Sequence, residues 1–306
     1  MKSIFKFIEK NFGLILFLSV VFAFFFPQYF LWGKNHTDKL LMLAIFLGCL
    51  KIDFSEVFHL KKNFVKMIFF IFLNIGLLPL LFYFLSSGLN QDTRIAFFLL
   101  FAASGATATP LIASFLKLKV LWSTVFVILT SALIPFSIPF LFKVLFGVSV
   151  EISFIEMCFF LFKIVFFPSA VAIVFKKFFP KVTQSFFLVS GSLGSFTIAL
   201  FLGIVVATNQ IFLSKNLFLA STFPLLTALI FFFVFKFALG LFMPSQNSQE
   251  KWTNSLMFGN MNNGLMILLA SRFFSPQTVF VVLLSEIPWI LFQPVFQKVV
   301  QKFYKE

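Results

Sequence analysis

Apolar stretches run the length of the chain, separated at intervals by short polar or charged connections. A helix needs about 20 residues to cross roughly 30 Å of hydrocarbon. The pattern predicts ten such segments, at 11–30, 39–52, 64–86, 94–117, 119–143, 152–175, 183–208, 216–243, 252–271 and 277–298. The second is short, and the fourth and ninth carry polar, helix-interrupting residues. In the ninth, "FGNMNNG" (258–264) sets Asn260, Asn262 and Asn263 between Gly259 and Gly264. A buried amide without partners costs roughly 1–3 kcal/mol. The fourth segment has its own interruption, "SGATATP" (104–110), with Thr107, Thr109 and Pro110.

A repeat underlies the pattern. "STVFVILTSALIPF" (123–136) resembles "QTVFVVLLSEIPW" (277–289), with the TVFV quartets starting at 124 and 278. At the same spacing Gly105 matches Gly259, Pro110 matches Gly264 and Leu111 matches Leu265. Five segments per half is an odd number, so the second copy enters the membrane inverted. We therefore expect an all-α polytopic membrane protein: a single membrane domain over 1–306, with inverted five-helix repeats at 1–148 and 149–306. Matching helix breaks in the two halves point to a secondary transporter's binding site. Unwound backbone at membrane depth is tolerated only where protein or a watery cavity surrounds it. The asparagines then serve the break, the opposing break and a bound solute; the alternative is interhelical hydrogen bonding with no ligand.

Composition agrees. The 306 residues are 60% hydrophobic and 11% charged, with a mean hydropathy of +1.05. A soluble domain of this size has too little interior for so much apolar surface, so the bilayer is the expected solvent. The 56 phenylalanines read as lipid-facing surface. The net charge of +14 does not mark a nucleic-acid partner, because the lysines are spread between apolar segments. With the N-terminus inside, 16 Lys/Arg fall at cytoplasmic ends and 6 at outer ends, leaving Lys163 and Lys236 within segments. This asymmetry puts both termini in the cytoplasm of a cell inner membrane. The first segment follows a basic start without a small-residue cleavage site and reads as a retained helix. Cys49 and Cys158 lie in apolar runs and read as small core residues, and His36 and His59 as solvated loop residues.

The two broken segments carry a resemblance. The chain is similar to the bile acid:sodium symporter superfamily, whose members hold a stretch like PGGTASN in helix four and one like EVGMQNSG in helix nine. Here "SGATATP" and "MFGNMNNG" (257–264) stand in those places, and "NIGLLP" gives Asn74 five residues before Pro79, as the family's helix three gives a Gln. The resemblance implies crossed broken helices four and nine, a core bundle, and a panel of helices one, two, six and seven. It further implies alternating-access transport of a small organic solute, an organic anion by preference, with no enzymatic activity. Substrate-binding residues would be Thr107, Thr109, Asn260, Asn262, Asn263 and Gly264. The retained ion-coupling positions are Asn74, Thr109, Ser123 and Asn262. Other family sodium ligands fall on Met257, Met261, Pro110 and Val127, and thioethers are poor ligands for sodium. No resident cofactor or metal is implied; Na+ or H+ would serve as coupling ion, in a protein working as a monomer in the bilayer.

Glu286 offers a replacement acid, since it lies ten residues past Pro276, near the midplane of the tenth helix. An intramembrane acid faces a partner or a cavity, and Lys236 and Lys163 are the partners to consider. Transport is then proton-coupled through Glu286, or uncoupled, or driven through a rebuilt sodium site. Related arsenite or auxin-type efflux, and a non-transporting receptor, remain the alternatives.

Overall fold

The computed structural model describes residues 12–55, 64–147, 152–217 and 219–304. Among these residues every regular element is helical, as the absence of water inside a bilayer requires of an open chain. The helices are α1 (Phe12–Phe25), α2 (Thr37–Cys49), α3 (Phe64–Leu85), α4 (Gln91–Ala102), α5 (Thr109–Phe115), α6 (Val120–Phe146) and α7 (Phe154–Phe178). They continue as α8 (Pro180–Thr208), α9 (Gln210–Asn216), α10 (Thr222–Phe242), α11 (Ser248–Gly259), α12 (Asn263–Phe273), α13 (Pro276–Leu284) and α14 (Glu286–Phe303). Among the described residues six stretches are long and apolar enough to cross a membrane: α3, α6, α7, residues Val189–Thr208 of α8, α10, and α13 with α14. The chain is thus an integral, multi-pass membrane protein. Of the 16 cytoplasmic charges counted above, Lys2, Lys6, Lys10, Lys61, Lys62 and Lys305 lie outside the described residues, as does His59.

Local chemistry sets the helix starts. Asn90, Ser153, Asn247, Asn262 and Ser275 each accept a hydrogen bond from a backbone N–H of the following first turn, satisfying a donor the helix cannot. α3 is not uniform: residues Leu73–Leu77 form a π-helical turn, a distortion frequent at functional sites. The last predicted segment is also divided, because Ser285 separates α13 from α14 and Pro288 follows in the first turn of α14.

Two groups of helices result. In one, α8 packs on α1 and α2, and α2 on α7. In the other, α3 packs on α4, α5 on α6, α10 on α11, and α13 on both α4 and α12. The groups meet where α6 touches α7 and where α12 touches α2 and α8. α10 and α11 approach to backbone contact at Gly240, where a Cβ would lie 2.4 Å from the Asn254 carbonyl oxygen. Phenylalanine does two jobs rather than the single lipid-facing one expected. Phe25, Phe159 and Phe242 stand exposed on the outside, while Phe98, Phe126 and Phe258 are fully buried in ring clusters between helices.

Candidate functional site

The two broken segments cross. α4 stops at Ala102 and α5 starts at Thr109, while α11 stops at Gly259 and α12 starts at Asn263. The intervening strands of backbone pair antiparallel, Gly105 opposite Met261. Ala106 N–H donates to the Asn260 carbonyl at 3.0 Å, and Asn262 N–H donates to the Ser104 carbonyl at 2.9 Å. Each break therefore satisfies backbone groups the other leaves open, which is how unwound chain survives inside protein. Pro110 and Gly264 do not themselves break the helices. Both sit second in the helix that follows the break, a place where the missing N–H of proline costs nothing. The first break is the longer of the two.

The three asparagines have different fates. Asn260 is fully buried and committed: its Nδ2 donates to Thr109 Oγ1 at 3.0 Å, and its Oδ1 accepts from Gln293 Nε2 at 2.9 Å. Asn262 is half-buried, its Oδ1 accepting from Leu265 N–H as the cap of α12. Asn263 is buried with both amide atoms free of hydrogen-bond partners. Its amide lies close enough to the Glu286 carboxyl to interact with it, yet not in the geometry of a hydrogen bond. Ser104 Oγ and Gln293 Oε1 are likewise buried without partners. Such orphaned groups are few in folded proteins and call for an explanation.

Thr107, Asn262 and Gly264 form the half-exposed face of the crossing. Opposite it stands the other helix group: a Cβ on Gly48 of α2 would lie 3.0 Å from Thr107 Oγ1, and one on Gly264 would lie 3.3 Å from Leu41 of α2. Thr109 is buried against Asn260, and Ser123 spends its hydroxyl on the Val120 carbonyl at 2.8 Å in the first turn of α6. The positions retained from the family's ion-coupling set are thus not gathered around one point by hydrogen bonds. Met257 and Met261 are buried, and Val127 packs on Gly105, so these three bring thioethers and a hydrocarbon.

Neither lysine considered for Glu286 serves it. Lys163 is exposed on α7. Lys236, fully buried in α10, donates from Nζ to Asn74 Oδ1 at 2.5 Å. Asn74 in turn donates from Nδ2 to the Ala103 carbonyl at 3.0 Å, which the end of α4 leaves without a helical donor. The π-helical turn of α3 carries Asn74 there. An ammonium at membrane depth costs about 2.5–3.5 kcal/mol even by insertion scales, and here its one hydrogen-bonding partner among the described residues is an amide.

Sequence reasoning also missed two polar fastenings outside the crossing. Glu250, at the start of α11, bonds Lys119 Nζ at 2.7 Å and also bonds Lys66 of α3. Burial pushes its carboxyl upward, but the hydrogen bonds and charges of Lys119 and Lys66 outweigh that and hold it below its usual 4.5. Asp92, at the start of α4, accepts from Ser275 at 2.5 Å and Thr278 at 3.1 Å at the start of α13. No group of three His, Cys, Asp or Glu side chains suited to a metal occurs among the described residues.

Multiple apolar helices around two mutually paired helix breaks are the architecture of a membrane transporter, a binding site held by discontinuous helices. The chain belongs to the Sodium Bile acid symporter family, whose family model matches residues 39–217. The match takes in Asn74, the first break and Ser123, bearing out the resemblance read from the motifs. No curated protein matches the chain. Members of the family are membrane transporters of solutes rather than enzymes.

Proposed function

We propose that the protein is a secondary transporter of small organic anions, built from inverted repeats at 1–148 and 149–306, each of five membrane-spanning helices. The observation that carries the proposal is the crossing itself: two breaks paired to each other, with the unpartnered Asn263 amide and the Glu286 carboxyl behind them. The fastenings support the inverted repeat. The first half of each broken segment carries an acid in its first turn. Asp92 of α4 holds the start of α13, and Glu250 of α11 holds the residue before α6, so each repeat clasps the last helix of the other.

Alternating access would move the core, α3–α6 with α10–α14, against a panel of α1, α2, α7 and α8. Solute would bind at the half-exposed face between them, at Thr107, Asn262 and Gly264, with Thr109, Asn260 and Asn263 shaping its floor. Gly264 lies in the first turn of α12, at the positive end of that helix, where an anion is favoured. Coupling would run through a proton on Glu286, since methionines and a valine stand at family sodium-ligand positions. Both termini would face the cytoplasm from the inner membrane.

A thermal-shift screen tests the transporter's site directly. A bile acid and a series of small carboxylates are added to the purified protein with and without sodium, at two pH values. A ligand at 100 times its Kd stabilises by about 2.7 kcal/mol. At least one anion should raise the melting temperature of the native protein and not that of Asn263→Ala. Stabilisation of neither protein by any anion, or of both equally, would refute the site.

A further inference from the structure

A lysine with no exposed surface lies in the middle of the otherwise apolar α10, and its ammonium reaches across to Asn74. The amide oxygen it meets is a hard, neutral donor of the kind that binds alkali cations, and an ion-pairing carboxylate is not what holds it. Complete burial opposes the charge, and two further neighbours act to offset it. Asn74 is fastened to the Ala103 carbonyl at the C-terminal, electronegative end of α4. The Phe258 ring presents itself 5.8 Å from Nζ on another side. The position is thus a cation site at the edge of the first helix break, and the chain supplies the cation from its own Lys236 side chain.

We propose that the Lys236 ammonium is a tethered substitute for sodium: it fills the cation position beside Asn74 and makes the protein independent of sodium there. A second monovalent cation a few Å away in a medium of low dielectric would be disfavoured by roughly a thousandfold, so lysine and sodium exclude each other. The tether also explains why Asn74 sits on a π-helical turn. The distortion brings its amide between the lysine and the broken end of α4, where one oxygen receives the ammonium and one N–H closes the open carbonyl. The idea rests on the transporter reading only for its consequence in coupling; the occupancy of the position is a property of the folded protein alone.

The experiment is sodium binding to the purified protein, followed by melting temperature and by equilibrium binding of radioactive sodium. Sodium chloride is compared with N-methylglucamine chloride at constant ionic strength. The native protein and Lys236→Arg should show no sodium-specific stabilisation. Lys236→Met and Lys236→Gln, which vacate the ammonium, should gain a saturable sodium response of roughly 5 °C. Adding Asn74→Ala to either should abolish that gain. Saturable sodium binding by the native protein that Asn74→Ala removes would overturn the proposal. So would folded Lys236→Met and Lys236→Gln proteins that remain blind to sodium. If both fail to fold, the radioactive sodium measurement on the native protein and Lys236→Arg still decides: binding at Asn74 refutes, and its absence from both supports. None of these readouts requires a transported solute, so failure of the anion screen leaves this test standing.

Discussion

Asn260 and Asn263 lie three residues apart in one motif, and their replacement by alanine should have opposite consequences. Asn260→Ala removes two hydrogen bonds between buried or half-buried side chains, to Thr109 at 3.0 Å and from Gln293 at 2.9 Å. Side-chain hydrogen bonds inside membrane proteins average about 0.6 kcal/mol each, giving roughly 1 kcal/mol for the pair. Gln293 already has one buried amide atom without a partner, and the substitution strands its Nε2 as well, which adds on the order of 1 kcal/mol. A loss of roughly 2 kcal/mol lowers the melting temperature of a chain this large by roughly 3 °C. Asn263→Ala deletes an amide that has no hydrogen-bond partner to lose. Its stability should stay within about 0.5 kcal/mol of the native protein, while stabilisation by a bound anion disappears. Differential scanning fluorimetry in detergent, with and without the anion, measures both quantities. If Asn263→Ala melts as early as Asn260→Ala and keeps its response to anion, both amides are interhelical glue and the division of labour is wrong.

Other consequences can be checked separately. Glu286→Gln should leave the protein folded and flatten the dependence of anion uptake on pH; a pH profile matching the native one would remove Glu286 from coupling. Because Glu250 is held below its usual 4.5 in the folded state, its contribution to stability is complete at neutral pH and is lost as pH falls through and below the ordinary carboxylate range. Glu250→Gln should cost roughly 1–3 kcal/mol at pH 7 and much less at pH 3, as acid and thermal melts would show; an equal loss at both values contradicts the lysine clamp. In protein lacking Cys49 and Cys158, a cysteine at Gln246 should be labelled from the cytoplasmic side and one at Asn90 from outside. Labelling of both from one side would defeat the inverted repeat.

The sites of the two breaks were legible because their polar residues interrupt otherwise continuous apolar runs, and the helices around them follow from the need to pair every backbone group in lipid. Family membership was legible for the same reason, in "NIGLLP", "SGATATP" and "MFGNMNNG". The individual asparagines were not. Three amides in one motif are chemically alike, and only the fold shows that Asn260 is committed to Gln293 while Asn263 faces Glu286. The partner of Lys236 was misjudged for a related reason. An acid and a lysine in apolar helices suggest an ion pair, but Lys236 meets Asn74, 162 residues away, and no periodicity reports so distant a meeting. The π-helical turn in α3 and the interruption at Ser285 leave little mark on an apolar run, since both conserve its hydrophobicity. The clamp at Glu250 escaped notice because its acid and its two lysines come from three distant parts of the chain: α11, α3 and the residue before α6.

As a transporter, the protein is expected to open the face of the crossing opposite α2 to each side of the membrane in turn. Thr107 is the residue to ask, being half-exposed and directly across from Gly48. A cysteine at Thr107, in protein otherwise free of cysteine, is exposed to a membrane-impermeant thiol reagent applied to right-side-out and to inside-out vesicles. Alternating access predicts labelling from both sides, each time protected by the transported anion. Labelling from one side alone under every condition, with or without anion, would contradict it.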